Sequence, residues 1–285
     1  MALKDILVHL DRTPRSGVRL EIAAALARKQ GAHLAGVYVM ELASPPVFYG
    51  DPTGFADVRL VEEMLRKMRE AATAEARPVE GGFRERLRRD GIEGEWRQVE
   101  GRASETVALH ARYADLAVLG QPDPKASDFT SAAQVPLAAL LSSGRPVLIV
   151  PYAGSFPAVG ERVLVAWKSS REAARAVNDA LPLLREARSV TVLAINPEEG
   201  VAGDGDTPAA DIALHLARHG VKAEAAHTVA TTIPEGDALL NYAADMSADL
   251  IVAGGYGHSR LRELAFGGVT RTLLTTMTVP VLLSH

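Results

Sequence analysis

Near the end of the chain, glycines with a regular spacing follow a strongly apolar segment. Residues 250–254 (LIVAG) are apolar and mostly branched, which predicts a buried strand, and a helical segment is predicted from Val269. Glycine lets a backbone turn sharply and lets a ligand approach closely. A helix N-terminus adds free N–H groups and positive partial charge, so the segment predicts a phosphate-binding turn. The glycines between strand and helix are Gly254, Gly257, Gly267 and Gly268.

The spacing of these glycines is G-x2-G-x9-G-G, which is neither the dinucleotide pattern GxGxxG nor the P-loop GxxxxGK[ST]. It resembles the ATP-binding motif G-x2-G-x9-G-[S/T] of the universal stress protein family. The chain departs from the motif at Gly268, where the family has Ser or Thr. Thr270 matches a hydroxyl residue that the family also uses near the phosphates. The alternative is a turn and a helix start that bind no ligand.

The resemblance implies a role for each matching position in this chain. The base would lie near Ala166 and Ala253, and the N–H groups of the helix start would bind phosphate oxygens. Replacing a Ser hydroxyl by Gly268 would remove one hydrogen bond, worth about 1 kcal/mol. The positions implied for ribose and phosphates are Gly254, Tyr256, Gly257, Gly267, Gly268, Val269 and Thr270.

Lys168 ends the first predicted strand of the second half, where the family carries an acidic residue near the ribose and the metal. A lysine cannot help to hold a divalent metal, but it could contact a phosphate as a point charge. We therefore expect either ATP binding without a metal or an altered site. The alternative is an exposed loop lysine with no ligand.

Composition limits the classes of protein that need to be considered. The chain has 285 residues, which suggests two domains, and its net charge of -4 gives no reason to expect nucleic acid. There is no cysteine, and therefore no disulfide, thiolate chemistry or cysteine-ligated metal. No stretch approaches the roughly 18 apolar residues of a membrane helix, and the chain starts directly with a strand rather than a signal peptide. A cytoplasmic protein is expected.

Two parts of the sequence repeat each other. Residues 115–120 match residues 249–254, and residues 145–148 match 279–282, both with an offset of 134. Asp11 and Lys168 end the two first strands with an offset of 157, so the first half is longer by 157 − 134 = 23 residues. The sequence therefore predicts two copies of one β-α-β-α-β-α-β-α-β unit, at residues 1–152 and 160–285.

The alternation of apolar strands with helices predicts parallel sheets that are covered on both faces. The family resemblance implies flavodoxin-like domains, similar to the adenine-nucleotide alpha-hydrolases, each with five parallel strands in the order 3-2-1-4-5. Such sheets bind ligands at the carboxyl ends of the strands where strand order reverses, here between the first and fourth strands. A helix is predicted from Val58, with a kink or break at Pro78 and Gly81-Gly82. Ser169 and Glu172 predict a capping box.

The first half has lost the glycine motif. Asp123 would place negative charge where phosphate should lie, and Pro122 and Pro124 stiffen the turn and lack N–H groups. The first half is therefore not expected to bind nucleotide. The substitutions relative to the second half are Gly257 to Asp123, Gly267 to Ala133, Gly268 to Gln134 and Thr270 to Pro136.

These observations favour a stress-response regulatory module that binds ATP, or a related nucleotide, in its second half. Two alternatives stay open: an interaction protein that binds no nucleotide, and a slow ATPase. No catalytic constellation was found, and His215 with His219 is a weak candidate for a metal pair. The resemblance also implies that the last strands, 146–150 and 279–284, form contacts between units. An intramolecular pseudo-dimer is expected, with a homodimer also possible.

Overall fold

The computed structural model describes residues 2–42, 58–126, 129–197, 209–256 and 268–285. Within these ranges the strands form a single ten-stranded sheet with helices packed on both faces. The first half contains β1 (Asp5–Leu10), α1 (Arg15–Gln30), β2 (His33–Met40), α2 (Val58–Asp90), β3 (Gly94–Glu100), α3 (Ala103–Ala111), β4 (Leu116–Gly120), α4 (Phe129–Ser142) and β5 (Val147–Val150). The second half contains β6 (Arg162–Trp167), α5 (Arg171–Leu184), β7 (Ser189–Ile195), α6 (Ala210–Arg218), β8 (Ala223–Thr228), α7 (Glu235–Asp245), β9 (Leu250–Gly254), α8 (Gly268–Thr276) and β10 (Val281–Ser284).

The strand order is β3-β2-β1-β4-β5-β10-β9-β6-β7-β8. Each half is therefore a parallel sheet in the order 3-2-1-4-5, which confirms the predicted fold class. The two sheets are joined by antiparallel pairing of β5 with β10, in which Val281 lies opposite Ile149 and Leu283 opposite Val147.

The strands are apolar because both of their faces are buried. Successive residues of β1 enter different cores: Val8 belongs to one core cluster and Leu7 to the cluster on the other face. The second half shows the same alternation in β6, where Val165 joins the first cluster and Leu164 the second. Both clusters run through both halves, so the ten strands share a continuous core on each face.

The predicted break in the long helix was wrong, because α2 runs through Pro78 without interruption. Proline removes one helical hydrogen bond, but residues on both sides of it pack into the core and keep the helix continuous. Ala76 is fully buried, and Phe83 is 1% exposed and packs on Gly36, where a Cβ would lie 2.8 Å from the phenyl ring. Tertiary packing therefore outweighs the tendency of proline to interrupt a helix.

The predicted capping box is displaced by one residue. Ser170, not Ser169, is the N-cap of α5, and its hydroxyl oxygen accepts from the N–H of Ala173 at 3.2 Å. The helix consequently begins at Arg171.

Candidate functional site

The strand register brings the predicted base-contacting residues together at the carboxyl edge of the second half. Ala166 of β6 lies directly beside Ala253 of β9. Gly254 ends β9 and lies beside Ser284 of β10. Lys168 follows β6 immediately and is exposed. These residues form one edge, as expected for a site between the first and fourth strands of the unit.

The turn after β9 is fixed by hydrogen bonds from two other elements. The Gly255 N–H donates to the Ser284 carbonyl at 2.8 Å, and the Nδ1–H of His285 donates to the Gly255 carbonyl at 3.0 Å. The Tyr256 N–H donates to the Thr270 hydroxyl at 3.3 Å. The end of β10 and the first turn of α8 thus hold the turn in a single geometry.

Tyr256 has a left-handed backbone with φ 61°, which is uncommon for a bulky residue and costs about 1 kcal/mol or more. Its ring packs edge-on against His285, with 6.5 Å between the ring centroids. Burial raises the pKa of Tyr256 to about 12, so its hydroxyl stays protonated at neutral pH. The tyrosine can therefore act at this edge only as a neutral group.

The first turn of α8 contains the amides that the sequence assigned to phosphate. Gly268 is exposed, and a Cβ placed on it would meet no described atom within 4 Å, so a side chain has room at this position. Val269 is half-buried and Thr270 is 4% exposed. The first N–H groups of a helix have no partner within the helix, and they carry positive partial charge. This helix start therefore fits an anionic group.

Gly254 has a packing role that the sequence did not reveal. A Cβ on Gly254 would lie 2.5 Å from the Ala173 nitrogen and 2.6 Å from the Glu172 carbonyl carbon, both in the backbone of α5. A Cβ this close to backbone atoms would force the backbone to move. The glycine is thus required for the first turn of α5 to pack on the end of β9, whether or not a ligand is bound.

In the first half, the Arg19 side chain fills the cleft between the carboxyl ends of β1 and β4, the strands equivalent to β6 and β9. Its Nε donates to the His9 carbonyl at 2.9 Å, and its Nη2 donates to the Asp11 carboxylate at 2.5 Å. A Cβ on Gly120 would lie 2.6 Å from Arg19 Nη1, so the guanidinium covers the end of β4. With the offset of 157 residues, the matching residue of the second half is Ala176, which is buried and has no long side chain.

Asp11 is the acidic residue that the first half retains, and both of its carboxylate oxygens are engaged internally. One accepts from the N–H and hydroxyl of Thr13 at 2.8 and 2.5 Å, and the other binds Arg19. Burial opposes its ionisation, but Arg19, His9 and Thr13 together hold the pKa of Asp11 below its usual value. Its arrangement is that of a structural ion pair. The sequence signal that could have revealed this is the arginine opposite Ala176.

His9 lies beside this pair on β1. Burial, and to a lesser degree the Arg19 guanidinium, lowers the pKa of His9 from 6.5 to about 4, although Asp11 opposes the shift. The imidazole is consequently neutral at physiological pH.

Two of the predicted phosphate-binding residues, Gly257 and Gly267, lie outside the described residues. Within the described ranges, no group of three or more His, Asp or Glu side chains is placed to hold a metal ion. His215 and His219 lie with ring centroids 4.6 Å apart, next to Arg185. In the part of the chain that the structure describes, no helix is both long and apolar enough to span a bilayer.

Comparison with known proteins relates the second half to one family by sequence and the whole chain to one fold. The model of the universal stress protein family matches residues 160–285. A universal stress protein from Archaeoglobus fulgidus DSM 4304 superposes with a TM-score of 0.72 at 16% identity, covering 98% of this chain and 97% of its own. A Pseudomonas aeruginosa UCBPP-PA14 protein described as belonging to the same group has a TM-score of 0.60 at 14% identity, covering 99% of this chain and 93% of its own. No curated protein matches the sequence. The second half of the chain therefore matches the universal stress protein family by sequence, and the likeness to the solved structures shows that both halves have the same fold.

Proposed function

We propose that this protein is a stress-response regulatory module that binds ATP, or a related nucleotide, in its second half. The observation that carries the proposal is the exposed start of α8, which lies beside a fixed turn at the carboxyl edge of β9. A Cβ on Gly268 would meet no described atom within 4 Å, and the Thr270 hydroxyl accepts from the Tyr256 N–H of the turn. An anion at this point would meet backbone N–H groups that need no rearrangement.

The remaining contacts follow from the strand ends. The base would lie near the paired Ala166 and Ala253, where small side chains leave room, and the ribose near Gly254 and Tyr256. The amides of Gly268, Val269 and Thr270 would bind phosphate oxygens, together with Gly257 and Gly267 of the same motif. Lys168 would supply a positive charge where a metal-binding carboxylate would otherwise be, so binding would not require magnesium.

The first half would not bind nucleotide, because Arg19 lies in the cleft and the motif glycines have been replaced. We infer that residues 1–152 and 160–285 are two domains arranged as an intramolecular pseudo-dimer. The antiparallel pairing of β5 with β10 supports this inference, since it joins the two last strands around a local two-fold relation.

Titration calorimetry with ATP, with and without magnesium, tests the proposed site. The variant Gly268→Asp adds a negative charge at an exposed position with open space, so it should leave the fold intact and weaken ATP binding at least tenfold. Gly82→Asp in α2 is the matched control, because it adds the same charge at another exposed helical glycine with open surroundings. Equal affinities in the two variants would contradict the proposed site.

The two alternatives give different results in the same assays. Absence of saturable binding by the wild-type protein would favour an interaction protein without nucleotide. Phosphate release above a protein-free blank, lost in Gly268→Asp, would identify a slow ATPase.

A further inference from the structure

Gln121, in the turn that lost the glycine motif, forms a contact between the two halves. It occupies the position of Gly255, 134 residues earlier, and it is only 5% exposed. Its Nε2 donates to the Leu274 carbonyl of α8 at 3.0 Å, and its Oε1 accepts from the Tyr152 N–H at 3.1 Å. Because one end of the amide must donate and the other must accept, these partners fix its orientation.

The Leu274 carbonyl lies in the last turn of α8. The last four carbonyls of a helix have no helical partner, so Gln121 satisfies one of them from the other half of the chain. Helix α8 has nine residues and is about 13 Å long. A helix this short moves as a rigid body. A contact that holds its C-terminal end therefore also restrains the direction of the N–H groups at its N-terminus.

The reciprocal contact is made without a hydrogen bond. Gly255 faces Leu140 of α4, and a Cβ on Gly255 would lie 2.9 Å from the Leu140 Cδ2. Leu140 and Leu274 are themselves related by the offset of 134 residues. Each turn therefore meets the equivalent helix of the other half. Leu140 supports the Gly255 turn by packing, whereas Gln121 supports α8 by a hydrogen bond.

We infer that the first half serves as a built-in positioning partner for the phosphate-binding elements of the second, with Gln121 as a positioning residue. Gly255 of the glycine turn packs on Leu140, and Gln121 holds the C-terminal end of α8, the helix whose first N–H groups are proposed to bind phosphate. The inference rests on the proposed function for the role of α8, but the contact itself does not depend on ligand.

Hydrogen–deuterium exchange of the full chain without nucleotide tests the contact directly. Gln121→Met keeps the shape of the side chain and removes both hydrogen bonds, and Gln121→Glu keeps an acceptor for Tyr152 but removes the donor to Leu274. We expect exchange across residues 268–276 to accelerate several-fold in both variants. Gln98→Met is the matched control, because the Gln98 amide bonds Met40 and Thr73 within the first half.

The second measurement is the ATP affinity of the same variants, which should fall about fivefold with Gln121→Met and stay unchanged with Gln98→Met. Unchanged exchange in α8, or equal acceleration throughout both halves, would overturn the inference. Should the wild-type protein bind no ATP, the proposed function fails, while the exchange result still decides whether Gln121 positions α8.

Discussion

The Arg19 guanidinium and the Asp11 carboxylate form an ion pair at 2.5 Å in the cleft between β1 and β4. The Arg19 side chain is 5% exposed and that of Asp11 is 35% exposed, so the pair closes the cleft from inside. The repeat offset aligns Arg19 with Ala176, which is buried and has no long side chain, so the second half lacks this ion pair.

Arg19→Ala should destabilise the protein by about 2–3 kcal/mol, because it leaves the Asp11 carboxylate and the His9 carbonyl without their donor. Urea denaturation measures the change. Arg84→Ala is the control: it breaks an exposed pair with Glu80 in α2 and should cost less than about 1 kcal/mol. Similar losses in the two variants would show that the Arg19 pair is not a structural element.

Stability should decrease as the pH falls from 6.5 towards 4, because unfolded His9 gains a proton over that range while folded His9 stays neutral. The lowering of the His9 pKa to about 4 corresponds to a decrease of at most about 3 kcal/mol in the free energy of unfolding. Asp11 affects stability at lower pH. Its ionised carboxylate stabilises the folded protein above its ordinary pKa of 3.8, and this stabilisation is lost as the pH falls below that value.

Urea midpoints between pH 7 and pH 4 measure this dependence. His9→Gln should flatten the curve, and the exposed His227→Gln on β8 should leave it unchanged. A His9→Gln curve as steep as that of the wild type would contradict the assignment.

Gly254→Ala should destabilise the protein by about 1–3 kcal/mol, since the added methyl meets the backbone of Ala173 and Glu172. Gly268→Ala, at the start of α8, adds the same methyl in open space and should change stability by less than about 0.5 kcal/mol. Thermal unfolding of the two variants provides the comparison. If Gly254→Ala left the unfolding temperature unchanged, the close packing of α5 on the end of β9 would not be required.

Lys168→Asp should make nucleotide binding depend on magnesium. Replacing the cation by a carboxylate repels phosphate, so ATP affinity without metal should fall about tenfold and should recover when magnesium is added. Lys125→Asp, at an exposed position in the first half, is the control. Identical titrations for the two variants would place Lys168 outside the site.

The sequence predicted the architecture well because strand type and repeat offset are properties of the chain itself. The offset of 134 residues aligned Gly120 with Gly254, each at the end of its fourth strand, and aligned the last strands β5 and β10, while the family resemblance implied the strand order. Local signals were less reliable where packing competes with them. α2 continues through Pro78 with Ala76 and Phe83 buried on either side, and Ser170 rather than Ser169 caps α5.

The strand register shows which of the predicted site residues lie together, whereas the side-chain contacts around them could not be predicted from the sequence. The pairing of Ala166 with Ala253 follows from the register, whereas the roles of Arg19 and Gln121 depend on side chains that reach across elements distant in sequence. No pattern in the neighbouring sequence predicts the contacts of Arg19 or Gln121; for Arg19 the available signal is its alignment with Ala176 of the second half. Gly257 and Gly267 stay predictions, since they lie outside the described residues.

The stoichiometry of ATP binding is the most direct test of the account. Equilibrium dialysis of the full chain should give one saturable ATP site per chain in the wild type and in Arg19→Ala, and none in Gly268→Asp at the same ligand concentrations. Two sites per chain, or a single site that survives in Gly268→Asp, would contradict the claim that the second half alone binds nucleotide through the start of α8.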